Sequence, residues 1–119
     1  MSTQFRGVFL TSNSPSETAR FYEMVAELPL EKIETDSGYS YWRVDTNDVQ
    51  LAIHDASSFA NYTHPVVSSS NLTHLYFRVE DVPTFMRHLE TLSLSPYAVD
   101  NIVVTVTDPD GRKVMFGTA

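Results

Sequence analysis

The order of predicted elements repeats once along this chain of 119 residues. Each half contains a strand, then a helix, then three strands separated by turn-forming residues. A long internal period of this kind indicates two copies of one supersecondary unit, although the copies share little residue identity. The sequence therefore predicts one α+β domain over 1–119, made of two βαβββ modules at about 5–54 and 72–118, joined by a linker at 55–71.

In the first half, a strand is predicted from Phe5 to Thr11, followed by the helix-start sequence Ser14-Pro15-Ser16-Glu17. The Ser14 hydroxyl is expected to cap the helix and Glu17 to complete a capping box. Pro29 is expected to end the helix, because the residue before a proline is disfavoured in α conformation. The buried helix face is predicted to comprise Thr18, Phe21, Val25 and Leu28, and the three strands to span 30–35, 39–45 and 49–54.

The second half repeats this order after a Ser-rich segment that has no clear period. Asp81 is expected to cap a helix that runs to about Leu92, with Phe85 and Leu89 on its buried face. Asp108-Pro109-Asp110-Gly111 predicts a tight turn between the last two strands. The four strands of this half are predicted at 72–79, 96–99, 102–107 and 112–117.

Composition and charge exclude several kinds of chemistry and several classes of partner. The chain has no cysteine, which excludes disulfides, thiolate metal sites and cysteine nucleophiles and suits a cytoplasmic protein. Its formal charge of −7 with no basic run argues against nucleic acid and against anionic membranes as partners. No run of about 18 apolar residues is present, so the sequence predicts neither a membrane span nor a signal peptide.

Several motifs along the chain resemble those of the vicinal oxygen chelate superfamily. They are the strand Gly7-Val8-Phe9-Leu10, the Phe21-Tyr22 pair in the first helix, the strand Thr73–Val79 and the terminal hairpin Asp108–Val114. The superfamily includes glyoxalase I, extradiol dioxygenases and metal-free bleomycin-binding proteins. The resemblance implies sheets that curl around a cavity, helices on the outer face and, commonly, a homodimer.

Strand alternation independently predicts which residues share each face of the sheets, because successive side chains point to opposite sides. The helix-packed face is predicted to hold Val8, Leu10, Val49, Leu51, Ile53, Leu75, Phe77, Val79, Ile102, Val104, Val106, Val114 and Phe116. The cavity face is predicted to hold Gly7, Phe9, Gln50, Ala52, His54, His74, Tyr76, Arg78, Val103, Thr105, Lys113 and Met115.

The resemblance implies metal-ligand positions that here carry Gly7, Gln50, His74 and Met115. Only His74 is a good ligand, because glycine has no side chain, a thioether is soft and a lone glutamine oxygen is weak. His54 shares the face of Gln50, but four residues along a strand is roughly 13 Å, too far for one metal ion. We therefore predict no metal and no other cofactor. His64 and His88 are interpreted as ordinary surface histidines.

The leading interpretation is a protein that binds a small organic molecule. Arg78 and Lys113 on the cavity face favour a neutral or anionic ligand. On the third strand, either Trp42 with Val44 or Tyr41 with Arg43 can face the cavity. The predicted ligand-binding residues are Phe9, Trp42, Gln50, His54, His74, Tyr76, Arg78 and Met115.

Two other interpretations remain open. The first is a lyase, isomerase or dioxygenase with a metal-dependent or metal-free site, in which His74 would be the catalytic residue, acting with Tyr76 or Arg78. The second is a structural or regulatory dimer without a ligand. In each interpretation the predicted partner is a second copy of the chain.

Overall fold

Two four-stranded sheets form the framework of the molecule. The structure is a computed structural model that describes residues 5–59 and 74–118. Strand order is β1-β4-β3-β2 in one sheet and β5-β8-β7-β6 in the other, so the predicted repeat of two βαβββ modules is confirmed. The elements are β1 (Gly7–Ser12), α1 (Pro15–Val25), β2 (Glu31–Glu34), β3 (Ser40–Thr46), β4 (Val49–Asp55), α2 (Ala56–Phe59), β5 (Leu75–Arg78), α3 (Val82–Thr91), β6 (Ala98–Val99), β7 (Val103–Thr107) and β8 (Lys113–Gly117).

The two sheets share one pairing scheme. In each module the first strand runs parallel to the last, and the other neighbours are antiparallel. Asn47 and Asp48 join β3 to β4 with φ angles of 52° and 69°, as a two-residue turn with both central residues left-handed requires. The sheets curve, with the long helices on their outer face.

The buried face of the strands follows the predicted alternation. Leu10 and Ile53 in the first module, and Val104 and Phe116 in the second, belong to one core cluster that both modules share. Ile102 was predicted to join them, and that prediction is wrong. Ile102 is 59% exposed because β7 begins only at the following residue, so its side chain is outside the alternation.

Helix α1 buries the predicted face, except that Tyr22 takes the place expected for Phe21. Thr18 and Val25 are buried as expected, but Tyr22 is fully buried while Phe21 is only partly covered. The helix also ends at Val25, before Pro29, and Glu27 adopts a left-handed φ of 54°. Tyr22 occupies the buried position, where its hydroxyl donates to the buried carboxylate of Asp108. An apolar pattern does not reveal such a bond.

The two long helices begin differently. Asp81 caps α3 as predicted, since its carboxylate accepts a bond of 2.7 Å from the amide of Thr84. The predicted Ser14 cap and capping box are wrong, because the Ser14 side chain makes no capping hydrogen bond. The Asp110 carboxylate instead accepts from the amide of Asn13 at 3.0 Å, so the second module holds the start of α1.

Side chains of the Asp108–Arg112 turn join the two modules through a buried polar network. We call this network of Thr18, Tyr22, Asp108, Asp110 and Arg112 the inter-module lock. Tyr22 donates to Asp108 at 2.8 Å and Thr18 donates to Asp110 at 2.6 Å. Arg112 pairs with Asp108 at 2.9 Å and also donates to the carbonyl of Thr11. The turn predicted from the sequence thus also carries the main polar contact between modules.

His88 makes a second polar contact between the modules. It was interpreted as an ordinary surface residue, but it is half-buried, and its Nε2 donates to the carbonyl of Met24 at 2.7 Å. That carbonyl belongs to the last turn of α1, where backbone acceptors have no partner within the helix. His88 therefore joins the end of α1 to α3.

The predicted linker begins with a short helix, α2, after β4. Positions 60–71 of the linker, His64 among them, and positions 72–73 of the predicted fifth strand lie outside the described residues. Within the described part of the chain, no helix is long and apolar enough to cross a membrane.

Candidate functional site

The inner face of the first sheet gathers aromatic side chains around His54. Strand pairing sets Phe9 opposite Ala52 and His54 opposite Thr11, and Arg43 on β3 is also opposite Ala52. Partners in register point to the same side of a sheet, so Phe9 and His54 share the inner face with Arg43. Alternation along β3 places Tyr41 there too.

His54 lies within a stack of aromatic rings. Its ring centroid is 4.8 Å from that of Tyr41 and 4.4 Å from that of Phe59, in nearly parallel geometry. Phe9 packs on it at 5.4 Å, and Tyr39 stacks at 5.8 Å. We call these five residues the His54 cluster. Only 7% of His54 is exposed, whereas Phe9 remains 49% exposed and forms the open part of the cluster.

The polar bond inside the His54 cluster joins the Tyr39 hydroxyl to Nδ1 of His54 at 2.5 Å. Burial lowers the pKa of His54 below its ordinary value, because the charged imidazolium is poorly solvated among these rings. The ring is therefore neutral at neutral pH, with one nitrogen that accepts and one that donates. The pair offers a phenol and a neutral imidazole in contact.

Trp42 lies apart from this group. It pairs with Ile53, so its side chain is on the helix-packed face, where it packs against the core. The structure thus selects Tyr41 with Arg43, of the two alternatives on this strand, for the inner face. Trp42 is not brought together with the other predicted ligand-binding residues.

The inner face of the second sheet is more open. Tyr76 pairs with Met115, which pairs in turn with Thr105. Tyr76 is 43% exposed, and its hydroxyl lies where a side chain on Gly117 would be, 2.7 Å from the position of a Cβ atom. Lys113 adds a cation 4.5 Å from the centre of the Tyr97 ring. This face therefore offers aromatic surface together with positive charge.

His74 and Arg78 lie at the two ends of the open face. His74 precedes β5 and Arg78 is its last residue, and both are exposed. Alternation along the strand puts them on the same side as Tyr76. The structure therefore brings Tyr76 and Met115 into direct pairing, with His74 and Arg78 flanking them.

The positions implied for a metal do not fit one. Gln50 is buried and pairs with Gly7, and a Cβ on Gly7 would lie 2.0 Å from the Gln50 carbonyl oxygen, so no side chain fits there. In the second sheet, Met115 is opposite Tyr76 rather than His74. Among residues 5–59 and 74–118, no group of three His, Cys, Asp or Glu side chains could hold a metal ion.

Sequence reasoning missed two members of the His54 cluster as site residues. Phe59 lies in α2, inside the segment interpreted as a linker, where no periodicity drew attention to it. Tyr39 precedes β3, and its bond to His54 depends on how the hairpin folds back across β4. The aromatic residues Tyr39, Tyr41 and Trp42 were the available sequence signal. Strand alternation alone could not show which of them face the cavity.

Comparison with known proteins shows which solved structures have a similar fold. No family model matches the sequence, and no curated protein is significantly similar to it. Among solved structures, a lactoylglutathione lyase from Agrobacterium tumefaciens superposes with a TM-score of 0.70 at 18% identity, over 99% of this chain and 95% of that one. This chain has the vicinal oxygen chelate fold.

Two other solved structures superpose over a similar share of this chain. TnmS3, an antibiotic binding protein from Streptomyces sp. CB03234, has a TM-score of 0.66 at 14% identity, over 98% of this chain and 96% of that one. An integron cassette protein from the mobile metagenome of V. cholerae has a TM-score of 0.68 at 17% identity, over 99% and 96%. At these identities the comparison identifies the fold, and function must be argued from the site.

Proposed function

We propose that this protein binds a small, flat organic molecule on the inner faces of its sheets. The observation that carries the proposal is the His54 cluster, in which four aromatic rings surround a buried histidine and one ring, Phe9, remains half exposed. Aromatic surface with a few polar groups is the usual lining of a ligand site. That TnmS3 is described as an antibiotic binding protein supports the same function.

The ligand proposed is neutral or anionic. Arg78 and Lys113 lie on the open inner face, and no Asp or Glu occupies the paired positions of β5, β7 and β8. A planar anion would stack on Phe9 or Tyr76 and gain attraction from these cations. The proposed site uses Phe9, Gln50, His54, His74, Tyr76, Arg78 and Met115 from the sequence prediction, together with Tyr39, Tyr41 and Phe59.

The test is a fluorescence titration with 1-anilinonaphthalene-8-sulfonate, a planar aromatic anion. We expect saturable binding that Phe9→Ala weakens about tenfold, because the exposed ring of the His54 cluster is lost. Phe5→Ala is the matched control, since Phe5 is also exposed, at 69%, but precedes β1. Equal binding by the two variants, or no saturable binding by the unmodified protein, would contradict the proposal.

The bond between Tyr39 and His54 favours a second candidate, a metal-free lyase or isomerase. In the tautomer in which the Nδ1–H of His54 donates to the Tyr39 oxygen, the lone pair on Nε2 can remove a proton from a carbon next to a carbonyl group. The test incubates a panel of carbonyl compounds with the protein in D2O and follows loss of the α-proton signal by NMR. Tyr39→Phe should slow exchange while His74→Ala leaves it unchanged; the reverse result would assign catalysis to His74, as the sequence suggested.

We also propose that the protein is a cytoplasmic homodimer. Absence of cysteine suits a reducing compartment. Three exposed apolar side chains, Tyr97, Val99 and Ile102, lie close together in sequence around the edge strand β6, where a second chain could cover them. Sedimentation equilibrium should give twice the chain mass, and Val99→Lys should shift it toward the monomer. A monomer at all concentrations would contradict this arrangement.

A further inference from the structure

A recess of about 430 Å³ lies on the outer, helix-packed side of the molecule, where the two modules meet. Its walls are the end of α1, the end of β5 and the first two turns of α3. No member of the His54 cluster lines it. Its volume is within the range of small-molecule sites, and of the residues in the proposed inner-face site it shares only Arg78.

The floor of this outer recess is aromatic. Phe116 stacks on Phe85 with ring centroids 4.4 Å apart and on Phe77 at 5.3 Å. Phe116 and Phe85 are almost fully buried, so Phe77 is the partly exposed ring of this stack at the recess. Val25 and Val79 complete the apolar part of the lining. Such a floor would favour a ligand with an apolar body, since burying that body against the rings removes apolar surface from water.

The rim of the outer recess is mainly acidic. Glu27, Glu80 and Asp81 contribute three carboxylates, against the single guanidinium of Arg78. His88 is held in place beside them by its bond to the Met24 carbonyl, and its Nε2 lies 3.8 Å from a Glu27 oxygen. The chain as a whole is also acidic, with a formal charge of −7. The rim therefore favours a positively charged group.

We propose that the outer recess binds a small organic cation with an aromatic or alicyclic body. The apolar body lies against the partly exposed Phe77 and Val79, and the cationic group lies at the acidic rim, where the carboxylates attract it. Two features keep the recess formed without a ligand. The core rings are tightly stacked, and His88 ties α3 to the end of α1. A preformed site of this kind needs little reorganisation on binding.

The charge preference of this site is opposite to that proposed for the inner faces. Lys113 gives the inner face of the second sheet a positive charge, whereas three carboxylates outnumber Arg78 at the rim of the outer recess. One protein would then bind an anionic probe and a cationic probe at different places. The two proposals can fail independently.

The test titrates the full chain with benzyltrimethylammonium chloride and follows backbone amide signals by NMR. We expect the largest shifts at residues 26–27 and 77–85, and none in the His54 cluster. Benzenesulfonate and benzyl alcohol serve as the anionic and neutral probes of similar size. The cation should bind more tightly than either.

The variant E27Q/E80Q should weaken binding of the cation by about fivefold, because it removes two rim charges and leaves the aromatic floor intact. Both side chains are exposed, so the fold should be unaffected. Glu23→Gln is the matched control, an exposed carboxylate of α1 outside the recess. The proposal is overturned if E23Q and E27Q/E80Q weaken binding equally, if all three probes bind alike, or if protein concentration alone produces the same shifts, which would mean that a second copy covers the recess.

Discussion

His54 shows what the environment of one residue does to its chemistry. Its ring is buried among Phe9, Tyr41 and Phe59, and this lowers its pKa from the ordinary value of 6.5. Because the unfolded chain then binds a proton more readily than the folded chain, acid favours unfolding. The stabilising contribution of the neutral ring is complete above pH 6.5 and is lost as the pH falls through the lower folded value.

We therefore predict that the free energy of unfolding decreases between about pH 7.5 and pH 5.5, and that His54→Gln removes part of this decrease. Urea denaturation at the two pH values measures it. His88→Gln is the control histidine variant, which should keep the pH dependence that His54 causes. If His54→Gln retains the full decrease, the ring is not buried in its neutral form.

Tyr22 and Asp108 illustrate a polar pair that sequence alone does not predict. Burial raises the pKa of the Tyr22 phenol far above its ordinary value, and nearby Asp108 adds to the effect. The phenol thus stays protonated even at alkaline pH and can donate to Asp108, whose carboxylate oxygen lies 2.8 Å away.

We predict that Tyr22→Phe lowers the free energy of unfolding by about 1–3 kcal/mol, because one acceptor site of Asp108 loses its donor. Asp108→Ala should cost more, about 3–5 kcal/mol, since it leaves the largely buried Arg112 guanidinium without its nearest carboxylate. Guanidinium denaturation at pH 7 provides the comparison, with Asp100→Ala as an exposed control. A loss for Asp108→Ala no greater than that of the control would contradict the inter-module lock.

At the scale of elements, the two long helices differ in how they begin. Asp81 caps α3 with two bonds to Thr84, whereas Ser14 makes no side-chain bond at the start of α1. We predict that Asp81→Ala costs about 1 kcal/mol of stability and that Ser14→Ala costs much less. Urea denaturation of the two variants tests the contrast directly. Equal losses would restore the capping role that the sequence suggested for Ser14.

Elements themselves were largely predictable, because apolar alternation and turn residues act over a few positions. The strands around Leu10, Ile53 and Phe116 were placed on the correct face in this way. Trp42 could not be oriented from the sequence, since the two alternating sets on β3, Trp42 with Val44 and Tyr41 with Arg43, each contain an aromatic ring. The face on which the Trp42 side chain lies follows from the pairing of Trp42 with Ile53 on the neighbouring strand β4. Alternation within β3 does not contain this information.

For the whole molecule, the repeated element order was sufficient to predict two modules and their sheets. It was not sufficient to predict the inter-module lock or the His54 cluster, because both depend on residues far apart in sequence. Thr18 and Asp110 are separated by 92 positions, and Phe59 comes from the segment expected to be a linker. The sequence therefore predicted which sheet face holds the candidate site, but not which side chains contact one another there.

The residues at the positions implied for a metal lead to a further prediction for the whole protein. Of the four positions, Gly7, Gln50 and Met115 provide no charged donor, and only His74 is a good ligand. We expect that EDTA treatment leaves the melting temperature unchanged and that added nickel, manganese, zinc or ferrous ions do not raise it. A higher melting temperature with stoichiometric metal by elemental analysis would contradict this prediction and favour a metal-dependent enzyme.

The central claim is that a flat organic molecule binds on the inner faces of the sheets. Intermolecular nuclear Overhauser effects between 1-anilinonaphthalene-8-sulfonate and the isotope-labelled protein test it most directly. We predict contacts from the naphthalene protons to the rings of Phe9 and Tyr76, which are exposed aromatic side chains on the first and second inner face. Contacts confined to Phe77 and Phe85 in the outer recess, or to the apolar residues around β6, would contradict the claim.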